Sequence, residues 1–226
     1  MKKIVIVISL LLSVILSAFV FAGCDKKKEQ QTKENEKISY IQTAFYLGKS
    51  GDFEVKIVKG NKELLFVADG KTNECKDFCT LTLTPSSVDL FDKEYSFTVK
   101  GDSGEISGKL DKDSFGAYFE QEIDISALGE VRTVTVSYGT KNQEIAVQNM
   151  LADKISPKDA LEKAKEVMSD RLSADNKERE IYIRLINNTV NPTSEYYWYV
   201  AFISDPTDYY ACLINPVDGK IISQTK

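Results

Sequence analysis

The stretch 155–168, ISPKDALEKAKEVM, is where the chain changes its hydrophobic period. Before it, apolar residues recur at every second position in short runs; within it they recur every three or four. Ser156 stands where a helix N-cap is wanted, Pro157 occupies the first helical position, and Asp159 completes a capping-box-like pair. Ala160, Leu161, Ala164, Val167, Met168 and Leu172 then form one apolar stripe, with Lys163, Lys165, Glu166 and Asp170 away from it. The spacing predicts one amphipathic helix, ended by the polar stretch from Ser173 to Glu178.

C-terminal to this helix, strand-like runs occupy Ile181–Ile186, Tyr196–Ile203 and Tyr209–Ile214, with a fourth at Lys220–Ser223. Turn residues separate them at Asn187–Pro192, Ser204–Asp208 and Asn215–Gly219. A helix and a small antiparallel sheet each have one apolar face to hide, so packing one on the other is the simple solution. N-terminal to the helix, Phe53–Ile57, Tyr95–Val99, Val134–Tyr138 and Ile145–Val147 alternate apolar with polar residues, the pattern of half-buried strands. Less regular runs at Leu64–Val67, Cys79–Leu83, Glu105–Leu110 and Tyr118–Ile125 complete the series. The expected fold is therefore mainly β. An antiparallel β-sandwich of immunoglobulin-like plan spans 39–152, and a small α+β domain spans 153–226. There is no Cys…Trp…Cys signature, so the sandwich is an architecture, not membership of the true immunoglobulin family.

The C-terminal domain resembles the PepSY domain in its capped helix, its aromatic strand YYWYVAFI and its closing YYACLINPVDGKIIS. In that family an aspartate usually precedes the proline of the last turn, and a threonine often precedes its glycine; here they are Asn215 and Asp218. The resemblance covers residues 153–226 and its motifs are structural. It implies a role in restraining peptidases or in binding near the cell envelope, and it brings no catalytic residue.

At the other end, Val20-Phe21-Ala22-Gly23-Cys24 closes an uncharged segment that begins at Ile4 behind Lys2 and Lys3. It resembles the lipobox of bacterial lipoproteins, with Phe21 where Leu is usual. The resemblance implies that 1–23 is a signal peptide and that Cys24 carries lipid. The folded part then lies outside the cytoplasmic membrane, and the membrane is a partner through that lipid. The apolar run is also long enough to span a bilayer, so its length alone does not separate a cleaved signal from a retained anchor. Residues 25–37, DKKKEQQTKENEK, hold no apolar side chain, and 24–38 is expected to be a disordered tether.

Composition narrows the function. The formal charge of −5 falls to −7 once Lys2 and Lys3 are removed, and no basic stripe interleaves with aromatics, so nucleic acid is not an expected partner. The chain has no histidine. That removes the Ser-His-Asp and Cys-His nucleophile systems and the histidine zinc sites, and three cysteines beside Cys24 cannot complete a four-ligand zinc centre. Glu120, Glu122 and Asp124 share one face of a strand, but no calcium-loop spacing accompanies them. No catalytic residue, metal or cofactor is therefore expected, and the chain reads as a non-enzyme.

Three features remain. Cys75 and Cys79, with three residues between them in CKDFC, are expected to form a structural disulfide if a tight turn brings them together; fully extended, they would lie about 13 Å apart, beyond reach. Cys212, inside an apolar strand, reads as a buried, unreactive residue. Tyr197 and Tyr199 share one face of the aromatic strand, opposite Tyr196, Trp198, Val200 and Phe202. A helix covers only one face. The other either packs on the sandwich or forms a recognition surface, and Tyr197 and Tyr199 are the candidate binding residues. The expected function is an extracytoplasmic lipoprotein that binds or modulates another cell-envelope protein or peptide, such as a peptidase. The alternative is a glycan- or small-ligand-binding lipoprotein that uses the sandwich.

Overall fold

In the computed structural model the described residues are 37–174, 177–187 and 195–225. The expected signal peptide, Cys24 and nearly all of the tether lie outside them. The strands are β1 (Ile38–Ser50), β2 (Phe53–Glu63), β3 (Cys75–Pro85), β4 (Tyr95–Gly101), β5 (Glu105–Lys112), β6 (Phe119–Glu122), β7 (Val131–Tyr138), β8 (Lys141–Ala146) and β9 (Gln148–Asn149). Helix α1 (Pro157–Ala174) follows, and then β10 (Glu180–Asn187), β11 (Tyr196–Asp205), β12 (Asp208–Ile214) and β13 (Ile221–Gln224). The chain is mainly β, as expected. All thirteen strands join one sheet in the order β13-β12-β11-β10-β1-β2-β3-β6-β5-β4-β7-β8, with β9 on β1.

Alternation explains the first core. Val55 and Ile57 of β2, Leu81 and Leu83 of β3, Val99 of β4, Val134 and Val136 of β7 and Ile145 of β8 are all 0% exposed and belong to one apolar cluster. Burying each such side chain contributes about 1.5–3 kcal/mol. The exposed Arg132–Asp102 ion pair, at 2.7 Å, belongs to a class that contributes well under that. Strand β5 links the two parts of this cluster, pairing with β4 over Glu105–Leu110 and with β6 at Asp111 and Lys112.

The helix begins as its residues dictate. The Ser156 hydroxyl accepts the Asp159 N–H (3.1 Å), and the Asp159 carboxylate accepts both the Ser156 N–H (3.2 Å) and its hydroxyl (2.7 Å). Ala160, Leu161, Ala164 and Met168 are buried, while Val167 is left 43% exposed at the stripe's edge. This face packs on β10, β11 and β12. Trp198, fully buried, donates its indole N–H to the Ile155 carbonyl (3.1 Å), so the helix entry is fastened to β11.

Strand β1 carries no regular alternation and was not expected from the pattern. It lies between β2 and β10, and its Ser39 and Gln42 are buried and polar. The Ser39 hydroxyl donates to the Ile181 carbonyl (3.2 Å), and the Gln42 side chain accepts the Leu185 N–H (2.9 Å). These contacts advance together along β1 and β10, as in a parallel pair. Gln42 sits at a bulge against β2, where its side chain does the work of a backbone carbonyl. Opposite that bulge only Gly60 fits, since a Cβ there would overlap the Ile41 carbonyl. The sheet consequently runs on from β2 through β1 into β10, and the described residues from Ser39 onward form one compact unit.

Two expectations are corrected. Leu64–Val67 is not a strand: β2 ends at Glu63, and all four residues stand exposed in a loop, Leu65 at 79%. Cys75 and Cys79 are not joined to each other in a disulfide. Both lie on β3, paired with Glu63 and Lys59 of β2, so no turn intervenes to bring them together. Four extended steps along the strand hold them about 13 Å apart, twice the reach of a disulfide.

Candidate functional site

Pairing along β10, β11 and β12 sorts their side chains onto two faces. On one, Trp198, Val200 and Phe202 stand beside Leu185, Ile183 and Ile181 and beside Ile214, Cys212 and Tyr210, under α1. On the other, away from α1, Tyr199 and Ile203 stand beside Arg184 and Glu180 and beside Leu213 and Tyr209.

That second face holds an aromatic cavity of about 320 Å³ lined by Tyr40, Lys62, Glu63, Phe66, Tyr182 and Tyr199, with Ser39 and Ile203 completing it. Tyr40 stacks on Tyr182 with centroids 4.6 Å apart, Phe66 tilts against Tyr182 at 5.8 Å, and Tyr199 meets Tyr182 edge-on at 6.4 Å. Burial pushes the Tyr40 phenol up to about 12 and raises that of Tyr199, so both remain neutral hydrogen-bonding groups at physiological pH. Lys62 places its ammonium 4.9 Å from the Phe78 ring centroid, at the margin of the same aromatic group.

The loop from Leu64 to Glu74 forms the rim. Its Gly70, at φ 79°, is seated against the backbone of Glu178 and Ser204, where a Cβ would lie 2.7 Å from the Glu178 carbonyl oxygen. The Glu63 carboxylate accepts the Asn73 N–H and so ties the far end of the loop to β2. Beneath lie two acids, Glu63 at 4% exposure and Glu180 at 0%. Burial raises the Glu180 pKa above its ordinary value; the Ser39 hydroxyl and Gly70 N–H partly offset this, while Glu63 and Asp69 add to it.

Of the two tyrosines singled out by sequence, the structure brings Tyr199 into this cavity but not Tyr197. Tyr197 donates to the Glu195 carboxylate (2.7 Å) and borders a separate depression with Met150, Lys154 and Asn215. Cys79 and Cys212 are buried and their thiols are pushed up to about 11; that of Cys75 is also raised by burial, so none is poised as a thiolate. Asp205 and Asp208 serve a turn: Asp205 accepts the Thr207 and Asp208 N–H groups, and Asp208 accepts the Ser204 hydroxyl (2.9 Å). Among the described residues no group of three or more His, Cys, Asp or Glu is arranged to hold a metal ion, and no helix is long and apolar enough to cross a membrane.

Sequence reasoning missed Tyr40, Phe66, Tyr182, Glu63 and Glu180. Tyr182 sat in plain view in the alternation Ile181-Tyr182-Ile183, opposite in sense to its buried neighbours. Phe66 was hidden in a run that reads as a strand. The acids carried no local signal, because their burial comes from a loop and a strand far away in sequence. Comparison with family models, curated proteins and solved structures finds no match to this chain.

Proposed function

We propose that this chain is a non-enzymatic binding protein held outside the cytoplasmic membrane by lipid on Cys24. Its partner is another envelope protein, presenting a peptide segment to the outer face of β10–β12. The observation that carries this reading is the aromatic cavity around Tyr182 and Tyr199, on the face of the sheet that α1 leaves open. Aromatic side chains with polar tips supply large contact area at little entropic cost, and they dominate protein-binding hot spots. The immunoglobulin-like sandwich plan belongs to the same proposal, supported by the single core built from β1–β3 and β6 with β4, β5, β7 and β8. So does the PepSY-like character of the C-terminal part, supported by a capped helix lying on antiparallel strands and by the Asn215–Gly219 turn. On that likeness the partner is a peptidase.

Crosslinking capture from intact cells tests the reading. Wild-type protein should retain a partner that the Tyr182→Ala, Tyr199→Ala double variant loses, with binding weakened about thirtyfold for a loss of about 2 kcal/mol. The Cys24→Ser protein should leave the membrane fraction. Undiminished capture by the double variant rejects the aromatic face as the site.

A second reading, a glycan or small ligand on the sandwich, has one observation in its favour. An open depression of about 540 Å³ beside Phe91, Lys93, Tyr95 and Lys109 combines aromatic and polar groups. Its tyrosine is buried to 2% exposure and donates to the Leu90 carbonyl, which leaves little aromatic surface for a sugar.

A further inference from the structure

We infer that the aromatic cavity takes a cationic side chain, the ammonium of a lysine or the guanidinium of an arginine, from the peptide segment of the partner. This rests on the reading above and names the chemistry that the site selects.

The walls come first. Tyr40, Phe66, Tyr182 and Tyr199 surround the space, and the electron-rich face of each such ring attracts a cation placed within about 6 Å of its centroid. The protein already places one cation this way at the margin, Lys62 on Phe78. The floor is the second observation. Glu63 lines the cavity although its residue is 4% exposed, and while one of its carboxylate oxygens holds the loop through Asn73, the other has no hydrogen-bond partner. Behind it, neither oxygen of Glu180 has a partner of good geometry, and the charges that act on Glu180 most are Glu63 and Asp69, both acidic. Two acids shut away from water beside a ring-walled space are costly in isolation. A cation entering between the rings offsets that cost, whereas an anionic ligand adds to it. An aliphatic side chain fills the same volume and satisfies nothing. A cavity of this size accepts a single side chain and not a folded domain.

The test uses the full-length protein in detergent with three capped tripeptides, acetyl-Gly-Lys-Gly-amide, its arginine counterpart and its norleucine counterpart. Binding is followed by saturation-transfer NMR. The lysine and arginine peptides should bind roughly tenfold more tightly than norleucine, and Glu63→Gln should erase that preference while leaving norleucine binding in place. Equal affinity for all three peptides, or preferential binding of a neutral disaccharide at the same rings, overturns the cation assignment. If Glu63→Gln loosens the loop and melts early, the lysine–norleucine ratio in the wild type decides alone. The two proposals fail separately. Loss of capture on removing Tyr182 and Tyr199, with no preference among the peptides, sinks the cation and spares the aromatic face. Undiminished capture in that double variant sinks the face itself.

Discussion

Trp198, Val200 and Phe202 on one face of β11 are 0–3% exposed beneath α1, whereas Tyr199 and Ile203 on the other remain half-buried around a cavity of about 320 Å³. The strand supplies apolar and aromatic residues to both faces in equal measure. What differs is the second layer. The helix brings small residues, Ala160 and Ala164, which allow close approach, and its entry is fixed by the Trp198 indole. The loop from Leu64 to Glu74 brings large side chains to the rim, fixed at Gly70 and Asn73, and its apolar residues turn partly to solvent. A full second layer makes a core. A partial one makes a site.

The largest expected effect breaks or upholds this contrast directly. Trp198→Ala should cost about 3–5 kcal/mol of stability, because it opens a cavity in a closed face and removes the hydrogen bond to Ile155. Tyr199→Ala, on the open face, should cost about 1 kcal/mol, in the range of ordinary single substitutions. Urea unfolding of the two variants measures both. Equal losses would mean that the two faces are equally structural.

Next in size is the charge beneath the open face. The Glu180 pKa in the folded state is raised above its ordinary 4.5, by burial first and by Glu63 and Asp69 after it. The neutral acid's contribution is therefore fully present below the unfolded pKa and is lost as pH rises through the folded one. Glu180→Gln keeps the neutral shape at every pH. It should match the wild type in acid and exceed it in melting temperature near neutrality, the gap opening above the unfolded pKa and complete once pH has passed the raised one. The aspartates whose pKa is lowered, Asp102 and Asp208 among them, are common to both proteins and cancel from the difference. A gap of constant size from acid to neutral pH, or no gap, would contradict a buried carboxyl held against its charge.

What was legible in sequence divides along the same line. The helix, its cap and its stripe followed from Ser156, Pro157, Asp159 and the spacing of Ala160, Leu161, Ala164 and Met168, because those interactions are local. The alternating strands β2, β4 and β7 were legible for the same reason. Strand β1 was not, since it is enclosed between two neighbours and its Gln42 replaces a backbone partner at a bulge. Leu64–Val67 misled, because an apolar run that rims a cavity has the composition of a strand. The face opposite the helix could be inferred from the alternation at Tyr197 and Tyr199. The cavity could not, because its walls come from β1, the loop, β10 and β11, and only the pairing of β1 with β10 brings Tyr40 onto Tyr182.

The smallest effect is a matter of labelling rates, and the three cysteines report the closed and open faces without perturbing either. Cys212 lies on the closed face, 2% exposed, and Cys79 belongs to the apolar core of β1–β8 at 8%, both with thiols pushed up to about 11. Cys75 is only partly buried and sits at the end of β3, paired with the same Glu63 that ties down the loop. The thiolate is the nucleophile, so reactivity follows exposure and pKa together. Native protein treated with iodoacetamide should be modified at Cys75 first, with Cys79 and Cys212 following only as the protein opens. All three should react in denaturant without any reductant, and reductant should leave the melting temperature unchanged. One reactive thiol in unreduced denatured protein would mean that Cys75 and Cys79 are joined. Since β3 pairs with β2 at both residues, the strand would then have to break beside Glu63, and the loop, the rim and the cavity would have to be rebuilt around a different turn.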